Sequence, residues 1–158
     1  MINHPIQPVY NENSKILILG SFPSVKSREQ MFFYGHPQNR FWKVLSAVYE
    51  CDVPNTIGEK RSFLLSHRIA LWDVISSCEI VGSSDSSIKN VEPSDLTRIF
   101  DCADTEKIFL NGKTAERFYN KYQRHKFNKE AICLPSTSPA NAVYSVDKLI
   151  EKWRVVNL

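Results

Sequence analysis

The chain is predicted to fold as an α/β protein, a three-layer α/β/α sandwich around a central four-stranded, mainly parallel sheet. Four short apolar runs recur along its 158 residues, and helix-forming patterns lie between them. Strands that alternate with helices pair in parallel through right-handed crossovers, which place helices on both faces of the sheet. No repeat or linker divides the sequence, so residues 1–158 are expected to form a single domain.

The four predicted strands are continuous apolar runs bounded by turn-forming or polar residues, which is typical of buried parallel strands. They occupy residues 15–19, 69–74, 107–110 and 131–134. Ligands of open parallel sheets bind beyond the carboxyl ends of the strands. We therefore expect one crevice, lined by the polar segments that follow the strands. These segments are 20–24, 73–77, 111–113 and 135–141.

Five helices are predicted from apolar spacing and capping residues. They span residues 40–50, 56–67, 94–103, 113–123 and 146–155. Thr56 and Glu59 form a capping box, and Ser94 and Ser145 are the predicted N-caps of two other helices. The segment 76–87, rich in serine and aspartate, is predicted to be a long loop, either ordered or mobile.

No segment predicts a membrane or secreted protein. No apolar stretch approaches the roughly 18 residues of a transmembrane helix, and the N-terminus lacks a charged segment followed by an apolar one. A cytoplasmic or nucleoid-associated monomer is therefore expected, with no membrane partner and no secretion signal.

The four cysteines are far apart in the sequence and include no Cys-x-x-Cys pair, so a clustered zinc site is not expected. Four reduced thiols are the simpler interpretation, and an iron–sulfur cluster that recruits distant cysteines is the alternative. No metal and no other cofactor is predicted.

Positive charge clusters in one part of the chain, although the net charge is only +3. Residues 113–129 contain six lysines and arginines, with Glu116 as their one acidic neighbour. Such a stretch indicates a surface that binds phosphate groups. A solvated helix face is the alternative interpretation.

The densest pattern of functional residue types is the run Tyr34-Gly35-His36-Pro37-Gln38-Asn39-Arg40-Phe41-Trp42. It combines a rigid turn, a carboxamide, a guanidinium group and several aromatic or imidazole rings. These groups are suited to hold a flat heterocycle against a polar catalytic group. The run lies on the connection after the first strand and therefore predicts a pocket for a base or nucleotide at the crevice.

Three motifs occur in order, and together they resemble the uracil-DNA glycosylase superfamily. They are Gly-Ser-Phe-Pro-Ser at 20–24, the run from Tyr34 extended to Lys43, and Leu-Pro-Ser-Thr-Ser-Pro-Ala-Asn at 134–141. The combination is most similar to the DNA-deoxyinosine (hypoxanthine-DNA) glycosylase branch, and the resemblance extends from about Lys15 to Leu158.

The resemblance implies a monofunctional glycosylase that acts in base excision repair on double-stranded DNA containing a damaged base. Hypoxanthine in deoxyinosine is the implied substrate. Two alternatives stay open. One is a uracil- or mismatch-specific glycosylase of the same fold, and the other is a non-catalytic DNA- or nucleotide-binding module, because fold alone does not transfer activity.

One departure from the superfamily bears on the mechanism. In most members, the position that matches Phe22 is an aspartate or asparagine that orients the attacking water, and a phenylalanine cannot do this. Asn39 is the predicted replacement, because its carboxamide can accept a hydrogen bond from a water and donate elsewhere. The alternative is that Asn39 caps the helix that begins near Arg40.

The resemblance and the chemistry of the residues together predict which groups hold the base. Tyr34 matches the aromatic residue on which the extruded base stacks, with core packing as the alternative. Backbone donors near Ser21 and Phe22 would stabilise charge on the departing base. The Asn111 amide would read the O6 acceptor and N1–H donor of hypoxanthine, or would simply occupy a turn. His36 is expected to be a structural histidine, with contact to the departing base as the alternative.

The predicted DNA contacts come from the segment that resembles the superfamily's minor-groove loop, with a serine-rich loop that binds nothing as the alternative. Its hydroxyl and backbone N–H groups suit phosphate contacts. Ala140 matches the position at which related loops carry a larger wedge residue, so deep insertion into the duplex is not expected. Lys113 would contact a phosphate or lie in solvent. The predicted DNA-binding residues are Ser136, Ser138, Ala140, Asn141 and Lys113.

Overall fold

The computed structural model describes residues 1–157, which form two β-sheets and a set of mostly short helices. In chain order, the strands are β1 (Ile2–Asn3), β2 (Ile16–Gly20), β3 (Ile69–Asp73), β4 (Ile75–Glu79), β5 (Lys89–Pro93), β6 (Lys107–Asn111) and β7 (Ile132–Leu134). The helices are α1 (Val25–Gln30), α2 (Phe41–Val48), α3 (Ile57–Ser66), α4 (Thr97–Phe100), α5 (Lys113–Tyr122), α6 (Arg124–Phe127) and α7 (Val146–Trp153). Two short 3₁₀ helices are Asp85–Ser87 and Arg154–Val156.

The central sheet contains the four predicted strands, all parallel, in the order β3-β2-β6-β7. Every residue of β2 and β3 is buried, as expected for continuous apolar strands covered on both faces. α3 packs against β3, α5 packs against β6 and β7, and α2 packs against α7. The predicted fold class is confirmed.

The strand order locates the crevice. The chain passes from β2 to β3 on one side and then crosses back to β6 on the other, so the direction of winding reverses between β2 and β6. A cleft forms at such a switch point, beyond the carboxyl ends of the two strands. Those ends are Gly20 and Asn111.

A second, three-stranded antiparallel sheet of order β1-β4-β5 was not predicted. Its strand β4 occupies the start of the segment that was predicted as a loop. Because Ser76, Ser77 and Glu79 have low strand propensity, only the pairing with β1 and β5 makes this segment a strand. The rest of the predicted loop, from residue 80 to Ser87, holds a 3₁₀ helix.

The helix caps divide into confirmed and wrong predictions. The capping box of Thr56 and Glu59 and the Ser145 cap are present as predicted. The predicted Ser94 cap is wrong, because the Ser94 hydroxyl is buried without a hydrogen-bond partner among the described residues, and Asp95 Oδ1 instead accepts the Thr97 N–H at 3.1 Å at the start of α4. Helix α1 was missed, although Ser24 caps it.

Aromatic packing fixes the segment that precedes α2 against the core. The Phe41 ring meets the Trp153 ring edge-on at 5.9 Å, and the Trp42 indole N–H donates to the Phe33 carbonyl at 3.1 Å. Both rings of α2 are almost fully buried.

Within residues 1–157, none of the helices has the length and apolarity needed to cross a membrane.

Candidate active site

A cavity of about 530 Å³ opens at the carboxyl ends of β2 and β6, where the strand order predicts it. Most of the predicted site residues line it, including Ser21, Phe22, Tyr34, Asn39 and Asn111. It is lined by residues of the segments 20–27, 33–39, 83–86 and 136–140, together with Asp73 and Asn111.

A hydrogen-bond network joins three of the polar segments around the cavity. The Thr137 hydroxyl donates to Asn39 Oδ1 at 2.9 Å and accepts from Asn111 Nδ2 at 3.0 Å. The Thr137 N–H donates to Asn111 Oδ1 at 3.0 Å, and the Phe41 N–H donates to Asn39 Oδ1 at 2.9 Å. Because a backbone N–H can only donate, these contacts fix the orientation of both carboxamides.

Asn39 is therefore both a cap for α2 and part of the cavity wall. Its Oδ1 accepts two hydrogen bonds, which occupy both lone pairs of a carboxamide oxygen. Its Nδ2 donates to no other group among residues 1–157. The side chain thus offers a ligand two N–H donors and no free acceptor. The prediction that this carboxamide accepts a hydrogen bond from the water is therefore wrong.

Asn111 is buried at the end of β6, with 9% of its surface exposed. Each end of its carboxamide already forms one hydrogen bond to Thr137. One N–H and one oxygen lone pair are left, so the carboxamide retains one donor and one acceptor.

The Tyr34 ring stacks on Phe41, with centroids 4.1 Å apart and planes 18° from parallel. One face of the ring is thus occupied by the core. Its φ of 54° lies in the left-handed region, which is uncommon for a residue with a side chain and is concentrated at functional sites.

The Tyr34 hydroxyl lies at the cavity floor and has no hydrogen-bond partner among the described residues. The Asn111 amide is close to it but outside hydrogen-bonding geometry. Burial raises the pKa of Tyr34, and the charge of Asp73 raises it further, so the hydroxyl stays neutral. A Cβ at Gly20 would lie 2.8 Å from this oxygen, which explains the glycine at this position.

Asp73 also lines the cavity, and its carboxylate pairs with the buried side chain of His4 behind the cavity wall. Asp73 is 3% exposed, and its Oδ2 lies 2.7 Å from His4 Nε2. His4 Nδ1 accepts the Ile6 N–H, so in neutral His4 the proton is on Nε2 and donates to Asp73. Phe22, 8% exposed, packs edge-on against the His4 ring at 5.7 Å.

Potential donors surround the cavity mouth. The N–H groups of Ser21 and Phe22 donate to no other group within residues 1–157. His36 Nδ1 accepts the Gln38 N–H at 3.1 Å, as expected for a hydrogen-bonded structural histidine. This contact places the proton of neutral His36 on Nε2, so the ring also retains a donor.

The segment 135–144 is held in place by Arg40. The guanidinium group donates to the carbonyl oxygens of Ser138 at 2.8 Å, Asn141 at 3.0 Å and also Tyr144. The Arg40 backbone N–H donates to the Thr137 carbonyl at 3.1 Å. The arginine of the Tyr34–Trp42 run therefore positions the predicted DNA-binding loop.

The predicted DNA-binding residues are not all in the cavity wall. Ser136, Ser138 and Ala140 line it, and Ala140 is exposed. The Asn141 side chain instead donates to the Ser136 carbonyl at 3.0 Å, within the loop. Lys113 is the exposed first residue of α5 and lies outside the cavity wall.

The residues that sequence reasoning missed act over long sequence separations. Thr137 and Asn39 are 98 residues apart, and His4 and Asp73 are 69 apart. No local pattern indicates such pairs. Asp85 was also missed, because its serine-rich segment was predicted only as a loop.

The protein-family model described as "Uracil DNA glycosylase superfamily" matches residues 7–157 of this sequence. The chain belongs to the uracil DNA glycosylase superfamily. Within it, the chain is similar to a protein of Methanosarcina acetivorans named hypoxanthine DNA glycosylase, with 32% identity over 99% of this chain and 98% of that protein. A protein of the same name from Methanosarcina barkeri is 35% identical over 70% of this chain and 72% of its own length.

A solved structure shares the superfamily fold over the whole chain. It is a solution NMR structure from Methanosarcina acetivorans, described as a candidate uracil DNA glycosylase. The TM-score is 0.82 at 30% identity, and the comparison covers 100% of both chains. The three motifs on which the resemblance was based all contribute residues to the cavity wall.

Proposed function

We propose that this protein is a monofunctional DNA glycosylase that hydrolyses the N-glycosidic bond of a deaminated base, with hypoxanthine in deoxyinosine as its substrate. The observation that supports this most is the fixed carboxamide of Asn39 in a base-sized cavity, in which the Gly-Ser-Phe-Pro-Ser segment at 20–24 places Phe22 instead of an aspartate or asparagine. The relatives named hypoxanthine DNA glycosylase support the choice of base.

The cavity receives one nucleotide extruded from the duplex. Its volume of about 530 Å³ lies in the usual range for small-molecule sites. Extrusion costs a few kcal/mol and costs less for a mispaired or damaged base, which contributes to selectivity. The base lies on the Tyr34 ring face that Phe41 leaves free, and Asn111 supplies its remaining donor and acceptor to the base edge.

Cleavage of the C1′–N9 bond leaves positive charge on the sugar and negative charge on the base. The free N–H groups of Ser21 and Phe22 stabilise the charge on the base, as preorganised donors do at other developing anions. The Asn39 amide donates to the oxygen of the attacking water and holds it in position. No lysine of residues 1–157 lines the cavity, which supports hydrolysis over Schiff-base chemistry.

The duplex lies across the cavity mouth. Ser136, Ser138 and Ala140 line this mouth and contact the DNA backbone, with Lys113 as a further phosphate contact. The protein acts as a monomer and a single domain, because one chain supplies every group in this mechanism. Asn141 supports the loop through its bond to the Ser136 carbonyl.

The test is incubation with matched duplexes that carry deoxyinosine, deoxyuridine or deoxyxanthosine, followed by alkaline cleavage of abasic sites. Strand breaks at deoxyinosine, and fewer or none at deoxyuridine, are expected. Preferred cleavage at deoxyuridine would instead establish a uracil glycosylase. Binding of the duplexes without any abasic sites would indicate a non-catalytic module.

A further inference from the structure

One carboxylate at the cavity mouth has no role in the mechanism described so far. Asp85 begins the 3₁₀ helix between β4 and β5 and lines the cavity beside Ser21. The Ser21 hydroxyl donates to it at 3.3 Å and 3.4 Å from its two oxygens. No lysine, arginine or histidine of residues 1–157 forms an ion pair with it.

The Asp85 segment is held over the cavity by hydrogen bonds. The Ser83 hydroxyl accepts the Val25 N–H at 2.9 Å, and the Gly82 carbonyl accepts from Arg28 at 2.8 Å. At the far end, Ile88 is buried in the core. The carboxylate is therefore fixed beside the motif that contains Phe22.

A group that accepts a proton from the attacking water makes hydrolysis faster, and Asn39 cannot supply one. Both lone pairs of its Oδ1 are occupied. The other carboxylate of the cavity wall, Asp73, is 3% exposed and paired with His4. Asp85 is the remaining carboxylate of the described cavity wall, and it is open to solvent.

We propose that Asp85 is the catalytic carboxylate of this site, which stabilises the cationic sugar and accepts a proton from the attacking water. This proposal rests on the proposed glycosylase function. The C1′–N9 bond breaks and its electron pair leaves on the base. A lone pair of the water forms the new C1′–O bond, one water proton passes to Asp85 and then to solvent, and the base takes up a proton from solvent.

The surroundings of Asp85 predict the pH dependence of the reaction. Crowding by protein atoms raises the pKa of this carboxyl although the residue reaches solvent, and Asp73 raises it further. Ser21, Thr114 and Arg117 act in the opposite direction. The carboxylate is active when deprotonated, so excision falls as pH decreases through this pKa, which lies above the ordinary value for aspartate. His36 and Tyr34 are the other titratable groups of the cavity wall besides Asp73.

The test compares wild type, Asp85→Asn and a matched control, Asp104→Asn, which changes an exposed aspartate outside the cavity wall. Single-turnover excision from a deoxyinosine duplex is measured from acidic to neutral pH. Asp85→Asn is expected to be about 10²-fold slower or more, the usual scale for losing a general base, and to lack the acidic fall in rate. The control is expected to match wild type.

A binding experiment tests the charge role without turnover. A duplex with a pyrrolidine at the lesion carries a positive charge at the sugar, and a tetrahydrofuran duplex is its neutral counterpart. Wild type is expected to prefer the pyrrolidine duplex, and Asp85→Asn is expected to lose that preference while it binds the tetrahydrofuran duplex normally.

The two proposals fail in different ways. The role of Asp85 alone would be overturned if Asp85→Asn excised the base within twofold of the wild-type rate. The variant would then also show the same fall in rate at acidic pH and the same preference for the pyrrolidine duplex. A wild-type protein that excises no base and does not prefer the pyrrolidine duplex would overturn both the function and the role of Asp85.

Discussion

The Thr137 hydroxyl has one donor and two acceptor positions, and the structure uses it to connect two carboxamides. It accepts a hydrogen bond from Asn111 and donates one to Asn39, in a site where Thr137 is fully buried. A buried network of this kind makes the position of each member depend on the others. The orientation of Asn39 is therefore set by a residue 98 positions away.

Replacement of Thr137 by valine tests this connection, because valine keeps the shape and removes the hydroxyl. Asn39 and Asn111 would each lose a partner, so we expect Thr137→Val to destabilise the fold by about 1–3 kcal/mol. Single-turnover excision should fall more than binding of the deoxyinosine duplex. Thr137→Ser retains the hydroxyl and should restore most of the rate, and equal rates for the two variants would contradict the connection.

Tyr34 gives a second residue-scale prediction, because its ring and its hydroxyl do different things. Tyr34→Phe keeps the ring face and removes a buried hydroxyl that lacks a partner, so activity and stability should be retained. Tyr34→Ala removes the stacking surface and should cost roughly 1–3 kcal/mol, about 10- to 100-fold in excision. A fluorescent base analogue at the lesion would show the loss in the extruded state. Equal loss in both variants would mean that the hydroxyl is the active group.

At the scale of elements, the structure divides the basic segment 113–129 into two parts. On α5, the side chains of Lys113, Arg117 and Lys121 are spaced four residues apart on one face, about 6 Å from one to the next. None of them forms an ion pair with a described residue, whereas Arg124 pairs with Glu130 at 2.8 Å. The three side chains on α5 are thus free to contact DNA phosphates.

Reversal of charge at Lys113, Arg117 and Lys121 should weaken binding to duplexes of every sequence. It should also reduce the slope of log affinity against log salt concentration by up to about three, since each phosphate contact releases about one counterion. Binding is the proper measurement, because Arg117 also lowers the pKa of Asp85. Reversal of Arg124 and Lys126, which pair with Glu130 and Asp95, is the control for basic residues outside this face. An unchanged slope in the first variant would mean that this face of α5 is only solvated.

The elements that the sequence predicts well are those that a local pattern of residue types specifies. The four parallel strands are continuous apolar runs, and the capping box of Thr56 and Glu59 is a local signal. β4 was missed because its serines become a strand only through pairing with β1 and β5. Ser94 has the residue type of a cap, but its hydroxyl is buried without a partner among the described residues, and Asp95 accepts the Thr97 N–H instead.

At the scale of the whole molecule, the strand order places the candidate active site. The reversal between β2 and β6 opens the cleft, and the three motifs meet there. Two of the motifs directly follow β2 and β7, and the third lies after α1 and extends into α2 on the connection from β2 to β3. The motifs could therefore be assigned to one site from sequence. The contacts that orient them, from Arg40 to the 135–144 segment and from His4 to Asp73, depend on the folded chain and could not be predicted.

The central claim is that the fixed amide of Asn39 positions the water that attacks the sugar. The most direct measurement is the release of free hypoxanthine from a deoxyinosine duplex in single turnover by Asn39→Ala, with the exposed Asn120→Ala as control. We expect Asn39→Ala to be slower by about 10²-fold or more, the scale for losing one positioned polar group, while duplex binding and the rate of the control change little. Near-wild-type release by Asn39→Ala, with only a lower melting temperature, would contradict the account and leave Asn39 as a cap of α2.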